Sequence, residues 1–160
     1  MKMKNNSRAG SRLDQHQQET QSSSLETYKV FVGREIRLLQ RQIVSVSARF
    51  PKNKRKEVGN SMLDHASALR MQLTIGLEKA CNGELLLELK GAQERLCELS
   101  QLVYWAVDMG CLAWDSMKAM EVRVASIALA LASMEMMISD HSVRSERGVR
   151  TTVGGSRQQQ

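Results

Sequence analysis

Aromatic residues make up only 4% of the 160 residues, and proline occurs once, at Pro51. Strands draw on aromatic and β-branched side chains and all-β folds need frequent turn residues, so this scarcity argues against a sheet protein. Cysteine is limited to Cys81, Cys97 and Cys111, with no CxxC pair and an odd count. That excludes a disulfide framework and predicts buried, reduced thiols in a reducing, cytoplasmic setting. Polar residues, not an apolar run, follow Lys2 and Lys4, so no signal peptide is predicted. The longest uncharged apolar run, residues 124–134, falls short of the roughly 20 residues that cross a bilayer, and no membrane association is expected.

The chemistry of known sites is also scarce. The three histidines are His16, His65 and His141, and none has a glutamate three residues before it, as a bundle di-iron site requires. No P-loop, Rossmann glycine pattern or GxSxG occurs. The sequence therefore predicts no enzyme, cofactor, metal or small-molecule substrate. His65 beside a helical stripe reads as a structural histidine.

What is abundant is Leu, Ala, Met, Glu, Lys and Arg, all good helix formers. Four helical patterns follow one another. The first, expected from a capping box at Ser23 and Glu26, carries Leu25, Val32, Ile36, Leu39, Ile43, Val46 and Phe50 on one stripe and stops at Pro51. A second over residues 54–80 carries Val58, Met62, Ala66, Leu69, Leu73, Gly76 and Ala80, with Asn82-Gly83 as its stop. A third over 84–108 carries Leu85, Leu89, Ala92, Leu96, Leu99, Val103 and Ala106, with Gly110 as terminator. The fourth, over 114–139, carries Met117, Met120, Val124, Ile127, Leu131, Met134 and Ile138.

Four such helices on short connections hide their stripes against one another. The predicted fold is all-α, an antiparallel up-down-up-down four-helix bundle over residues 23–139. Residues 1–22 and 140–160 have little to bury and are expected to be disordered basic tails.

The fourth pattern is apolar beyond its stripe, at Ala125, Ala128, Leu129, Ala130, Ala132, Met136 and Met137. The third adds Leu86, Leu87, Leu102, Tyr104 and Trp105. A helix apolar on more than one side is usually buried on more than one side, so self-association or a protein partner is expected there. A wide core stripe with scattered exposed apolar groups is the other reading. The methionines of the fourth helix read as core filling or as an adaptable groove. Trp105 and Trp114 read as packing anchors or as base-stacking platforms.

Charge is unevenly divided within a net +6. From Lys29 to Arg70 ten basic residues face only Glu35, Glu57 and Asp64, whereas from Glu78 to Glu135 nine acids outnumber five bases. Arg34, Arg37 and Arg41 share a helix face and lead toward a basic loop of Arg49, Lys52, Lys54, Arg55 and Lys56. These eight residues are the candidate nucleic-acid site, because such a row matches a phosphate backbone in charge and binds without reading sequence. Tail residues Lys2, Lys4, Arg8, Arg12, Arg144, Arg147, Arg150 and Arg157 add to it. The alternative is a protein-interaction adaptor whose basic hairpin docks an acidic partner.

The segment RFPKNKRKEVGNSMLDHASALRMQLTIGLEKA, residues 49–80, and the Leu-rich stretch 86–110 resemble the accessory variability determinant (Avd) proteins of diversity-generating retroelements. The sharpest element is the Phe-Pro-Lys turn, and the resemblance covers residues 28–137. It implies a four-helix-bundle fold shared with proteins encoded in ribosomal RNA intervening sequences. It further implies a homopentamer, binding to RNA or DNA and to a reverse transcriptase, and a non-catalytic role in mutagenic retrohoming.

Overall fold

A computed structural model of the chain describes residues 7–78 and 82–153. The chain order is α1 (Ser7–Ser47), a short turn α2 (Lys52–Lys54), a π-helical turn (Arg55–Gly59), α3 (Asn60–Leu77), α4 (Asn82–Asp108) and α5 (Trp114–Val153). The four long helices pack in a ring, α1 on α3, α3 on α4, α4 on α5 and α5 back on α1. Each runs antiparallel to its neighbours, giving an all-α, up-down-up-down four-helix bundle.

The heptad stripes close the core. Val32, Ile36, Leu39, Ile43 and Phe50 meet Val58, Met62, Ala66, Leu69 and Leu73, then the full α4 stripe, then Met117, Met120, Ile127, Leu131, Met134 and Ile138. Leu25, Val46 and Val124 pack against this core half-buried, and Leu112 and Ala130 join it. Met117, Met120 and Met134 are thus core filling. Ala80 lies outside the described residues. At Gly76 a Cβ would stand 2.7 Å from Glu88 Cβ, so glycine lets α3 and α4 approach closely there.

Helix ends differ from the sequence expectation. The capping box does not start α1, which begins at Ser7 and passes through Ser23; the Ser23 carbonyl accepts from Thr27 Oγ1 at 2.9 Å. Residues 140–153 likewise continue α5. Helical backbone thus extends from the bundle into both terminal segments, since a formed helix gains a bond for each residue added without a new nucleus. The remainder of both tails lies outside the described residues.

Asn82-Gly83 opens α4 and does not close α3, which ends at Leu77. Asn is strongly favoured at helix starts and only sometimes found past helix ends. α1 stops at Ser47, ahead of Pro51, and Arg49 and Phe50 make tightened backbone bonds to Val46 and Ser47. Gly110 ends α4 as expected, with φ +66°, a left-handed conformation that suits glycine.

The thiols also differ. Cys97 is exposed, one position past the buried Leu96, and Cys111 is half-buried beside the buried Leu112; both thiols are free. Cys81 lies outside the described residues.

The stretch Trp114–Asp140 is long and apolar enough to cross a membrane by length and hydropathy alone. Its inner stripe instead completes the bundle core. Arg123 Nη1 pairs with Glu35 Oε2 of α1 at 2.6 Å, and Gln93 and Lys90 of α4 reach Glu135 at 3.3 and 3.9 Å. Polar partners on both flanks hold α5 as the fourth member of a bundle.

Candidate nucleic-acid interface

Arg34, Arg37 and Arg41 are exposed on the outer side of α1, since their spacing sets them opposite Val32, Ile36, Leu39 and Ile43. None of them pairs with a carboxylate among the described residues. Arg37 and Arg41 lean toward α3, where they line a shallow depression with Gln40, Val44 and Arg70. Arg70 is the residue that sequence reasoning left unassigned. Its Nη1 donates to Gln40 Oε1 at 3.0 Å, and Gln40 Nε2 donates to Ser67 Oγ at 3.1 Å. The antiparallel register that sets Ser47 against Gly59 sets Gln40 against Ser67 and Arg70. A register of this kind was the only available signal for Arg70.

The loop cluster is split by the structure. Arg49, Lys52 and Lys56 are exposed at the end of the bundle. Lys54 is half-buried; its Nζ lies 3.8 Å from Glu57 Oε2 and 4.0 Å from Met109 Sδ, which ties the α1–α2 turn to the α4–α5 connection. Arg55 is committed elsewhere. Its Nη2 donates to the carbonyls of Ala48 and Phe50, so the guanidinium closes the open C-terminal end of α1. The π-helical turn puts it there: the Asn60 amide donates to Arg55 O, five residues back, and Gly59 packs where a Cβ would stand 3.3 Å from Ser47 Cβ. Arg55 is thus a helix cap first, and its charge is partly spent on α1's carbonyls.

Substituting Arg55→Ala is expected to cost about 1 kcal/mol, because these are charge-assisted but solvent-exposed bonds. The melting temperature followed by circular dichroism should drop by about 2–4 °C. Nucleic-acid affinity should change no more than about twofold, as expected for the loss of one weak phosphate contact. An unchanged melting temperature with a large loss of affinity would place Arg55 among the phosphate contacts instead.

Of the tail cations, Arg8 and Arg12 lie on α1 and Arg144, Arg147 and Arg150 on α5, while Lys2, Lys4 and Arg157 fall outside the described residues.

A second surface lies on α5. Val122, Ala125, Leu129, Ala132 and Met136 recur at alternating steps of three and four on the side away from the core. Val122, Leu129 and Met136 are 69%, 71% and 70% exposed. Beside this stripe the Tyr104 hydroxyl of α4 donates to Glu121 Oε1, and that hydrogen bond holds the phenol pKa above its usual 10.0. Trp105 and Trp114 are exposed on either side of the α4–α5 connection, and Lys118 Nζ stands 5.7 Å from the Trp114 ring centroid. Neither is buried as a packing anchor would be, whereas Leu112 of the same connection is.

His65 sits on the α3–α4 seam with Nδ1 3.3 Å from Glu98 Oε2, without the alignment of a hydrogen bond. Among the described residues no three His, Cys, Asp or Glu side chains gather as a metal site would require.

Comparison of the chain with protein-family models, with curated proteins and with solved structures finds no match.

Proposed function

We propose that this chain is a non-catalytic accessory protein that holds nucleic acid by its phosphates on the α1–α3 side of the bundle. The observation that carries the reading is the meeting of Arg37, Arg41 and Arg70 around one depression that no carboxylate lines. Three guanidinium groups gathered without acidic partners repel one another, and an anion relieves that repulsion. Each offers a planar fork that fits phosphate oxygens. Arg34 extends the row along α1, and Arg49, Lys52 and Lys56 extend the cationic surface to the end of the bundle. Contacts of this type fix a strand without reading its sequence, which suits a protein that handles whatever template it is given.

Within this reading the resemblance of residues 49–80 to Avd proteins gives the setting: the cytoplasm, beside the reverse transcriptase of a diversity-generating retroelement, during mutagenic retrohoming. The exposed stripe of α5 is the surface through which copies of the chain associate, in keeping with the homopentamer that the resemblance implies. The eight cations marked in the sequence then divide by role. Arg34, Arg37, Arg41, Arg49, Lys52 and Lys56 meet phosphate, Lys54 meets it in part, and Arg55 chiefly holds the turn.

Fluorescence anisotropy of labelled RNA and DNA, with and without heparin, tests the function. Both nucleic acids should bind at near-physiological salt and be displaced by heparin, and a co-expressed reverse transcriptase should be retained on the tagged protein. No anisotropy change, together with retention of an acidic protein, would replace this reading by that of an adaptor.

A further inference from the structure

We propose that the groove between α1 and α3 is a site for single-stranded nucleic acid, with phosphates on Arg37, Arg41 and Arg70 and base faces against Met71 and Ile75. This deepens the nucleic-acid reading above and rests on it. Two open depressions of about 340 and 310 Å³ adjoin at the α1–α3 seam, one mostly on α1 and the other mostly on α3. They share Gln40 and Arg70, so they form one groove. One half is cationic, with Arg37, Arg41 and Arg70. The other is lined by Ser67, Met71, Thr74 and Ile75.

Arg70 stands at the junction. The Gln40 side chain fixes one edge of its guanidinium at 3.0 Å, and Ser67 in turn fixes Gln40. The remaining N–H groups of the fork are left to meet a phosphate oxygen, already oriented. Beyond it Met71 and Ile75 are 64% and 51% exposed, so apolar surface adjoins the cationic row. A duplex gains nothing from them, since it turns phosphates outward and keeps its bases inside. A single strand gains contact area, because each of its bases has an apolar face to cover. Methionine adapts to the outline of such a face.

Spacing points the same way. Met71 and Ile75 are one turn apart, a rise of about 6 Å. Stacked bases advance only about 3.4 Å per step. Adjacent bases seated one on each side chain are therefore unstacked, which a single strand accommodates at little cost and a duplex does not.

The test compares an oligonucleotide of about 12 residues, oligo-U or oligo-dT, with a duplex of the same length, by anisotropy at fixed salt. The wild-type chain should prefer the single strand about tenfold. Met71→Ser with Ile75→Ser should remove that preference by weakening single-strand binding about tenfold, leaving duplex binding, salt dependence and melting temperature unchanged. Arg70→Ala should weaken both ligands and lower the single-strand salt slope by about 0.7. Equal affinity for strand and duplex, with no effect of the apolar pair, would overturn the groove while leaving nucleic-acid binding in place. Absence of binding to either ligand would overturn the functional reading itself.

Discussion

Reversing Arg34, Arg37 and Arg41 together to glutamate should lower nucleic-acid affinity on the order of 100- to 1,000-fold at about 0.1 M salt. Each reversal removes a phosphate contact and puts a carboxylate in its place, so attraction turns into repulsion at three points along one helix face. At about 1.4 kcal/mol per tenfold, the loss amounts to roughly 3–4 kcal/mol, or about 1 kcal/mol for each position. The bundle should not suffer. All three side chains are exposed, no described carboxylate depends on them, and the core beneath is formed by Val32, Ile36, Leu39 and Ile43. Circular dichroism should show the same helicity and a melting temperature within a few degrees. If the triple variant keeps wild-type affinity, α1 is not the binding surface. If it melts early, the arginines serve the fold.

A similarly large effect is expected on assembly. Leu129→Glu with Met136→Glu should convert an associated species to a monomer in sedimentation, with unchanged helical content. The reasoning starts from α5 having two stripes. The inner one, from Met117 to Ile138, is buried by the other three helices. The outer one, Val122, Ala125, Leu129, Ala132 and Met136, has the alternating three-four spacing of a helix seam, and all but the half-buried Ala132 are left exposed by the bundle. Two carboxylates inside a seam between copies would be desolvated without partners, a penalty that apolar contact cannot offset. On a free surface they would be harmless. A wild-type chain that sediments as a monomer at high concentration, or a double variant as associated as the wild type, would remove this surface from the proposal.

The parts of the fold that were legible in the sequence are those fixed by periodicity. Residues such as Leu89, Leu96, Leu99 and Val103 repeat at steps that leave one buried face and one ring of neighbours, and they are buried. Helix ends were less legible. Ser23 and Glu26 form a good cap on paper, yet the helix passes through them, because a capping residue is also an adequate interior residue when the turn before it is already helical. Asn82 was misread for a similar reason: the same residue suits either end of a helix.

The candidate site was half legible. The three-four spacing of Arg34, Arg37 and Arg41 fixes a shared face whatever surrounds it. The role of Arg55 could not be read, since it depends on the π-helical turn that swings its guanidinium back to Ala48 and Phe50. Nor could that of Arg70, which belongs with Arg37 and Arg41 only through the α1–α3 register. Local pattern identifies faces, and tertiary register decides which faces adjoin.

Salt dependence tests most directly whether the outer arginines of α1 capture phosphate charge. Single-strand affinity plotted against salt concentration on logarithmic axes should fall with a slope between about −2, for the three groove arginines alone, and about −5, for the whole cationic surface of the wild-type chain. Arg37→Gln with Arg41→Gln should make that slope shallower by about 1.4, two phosphate contacts' worth. A slope near zero for the wild-type chain, or the same slope in both proteins, would contradict phosphate capture at this face.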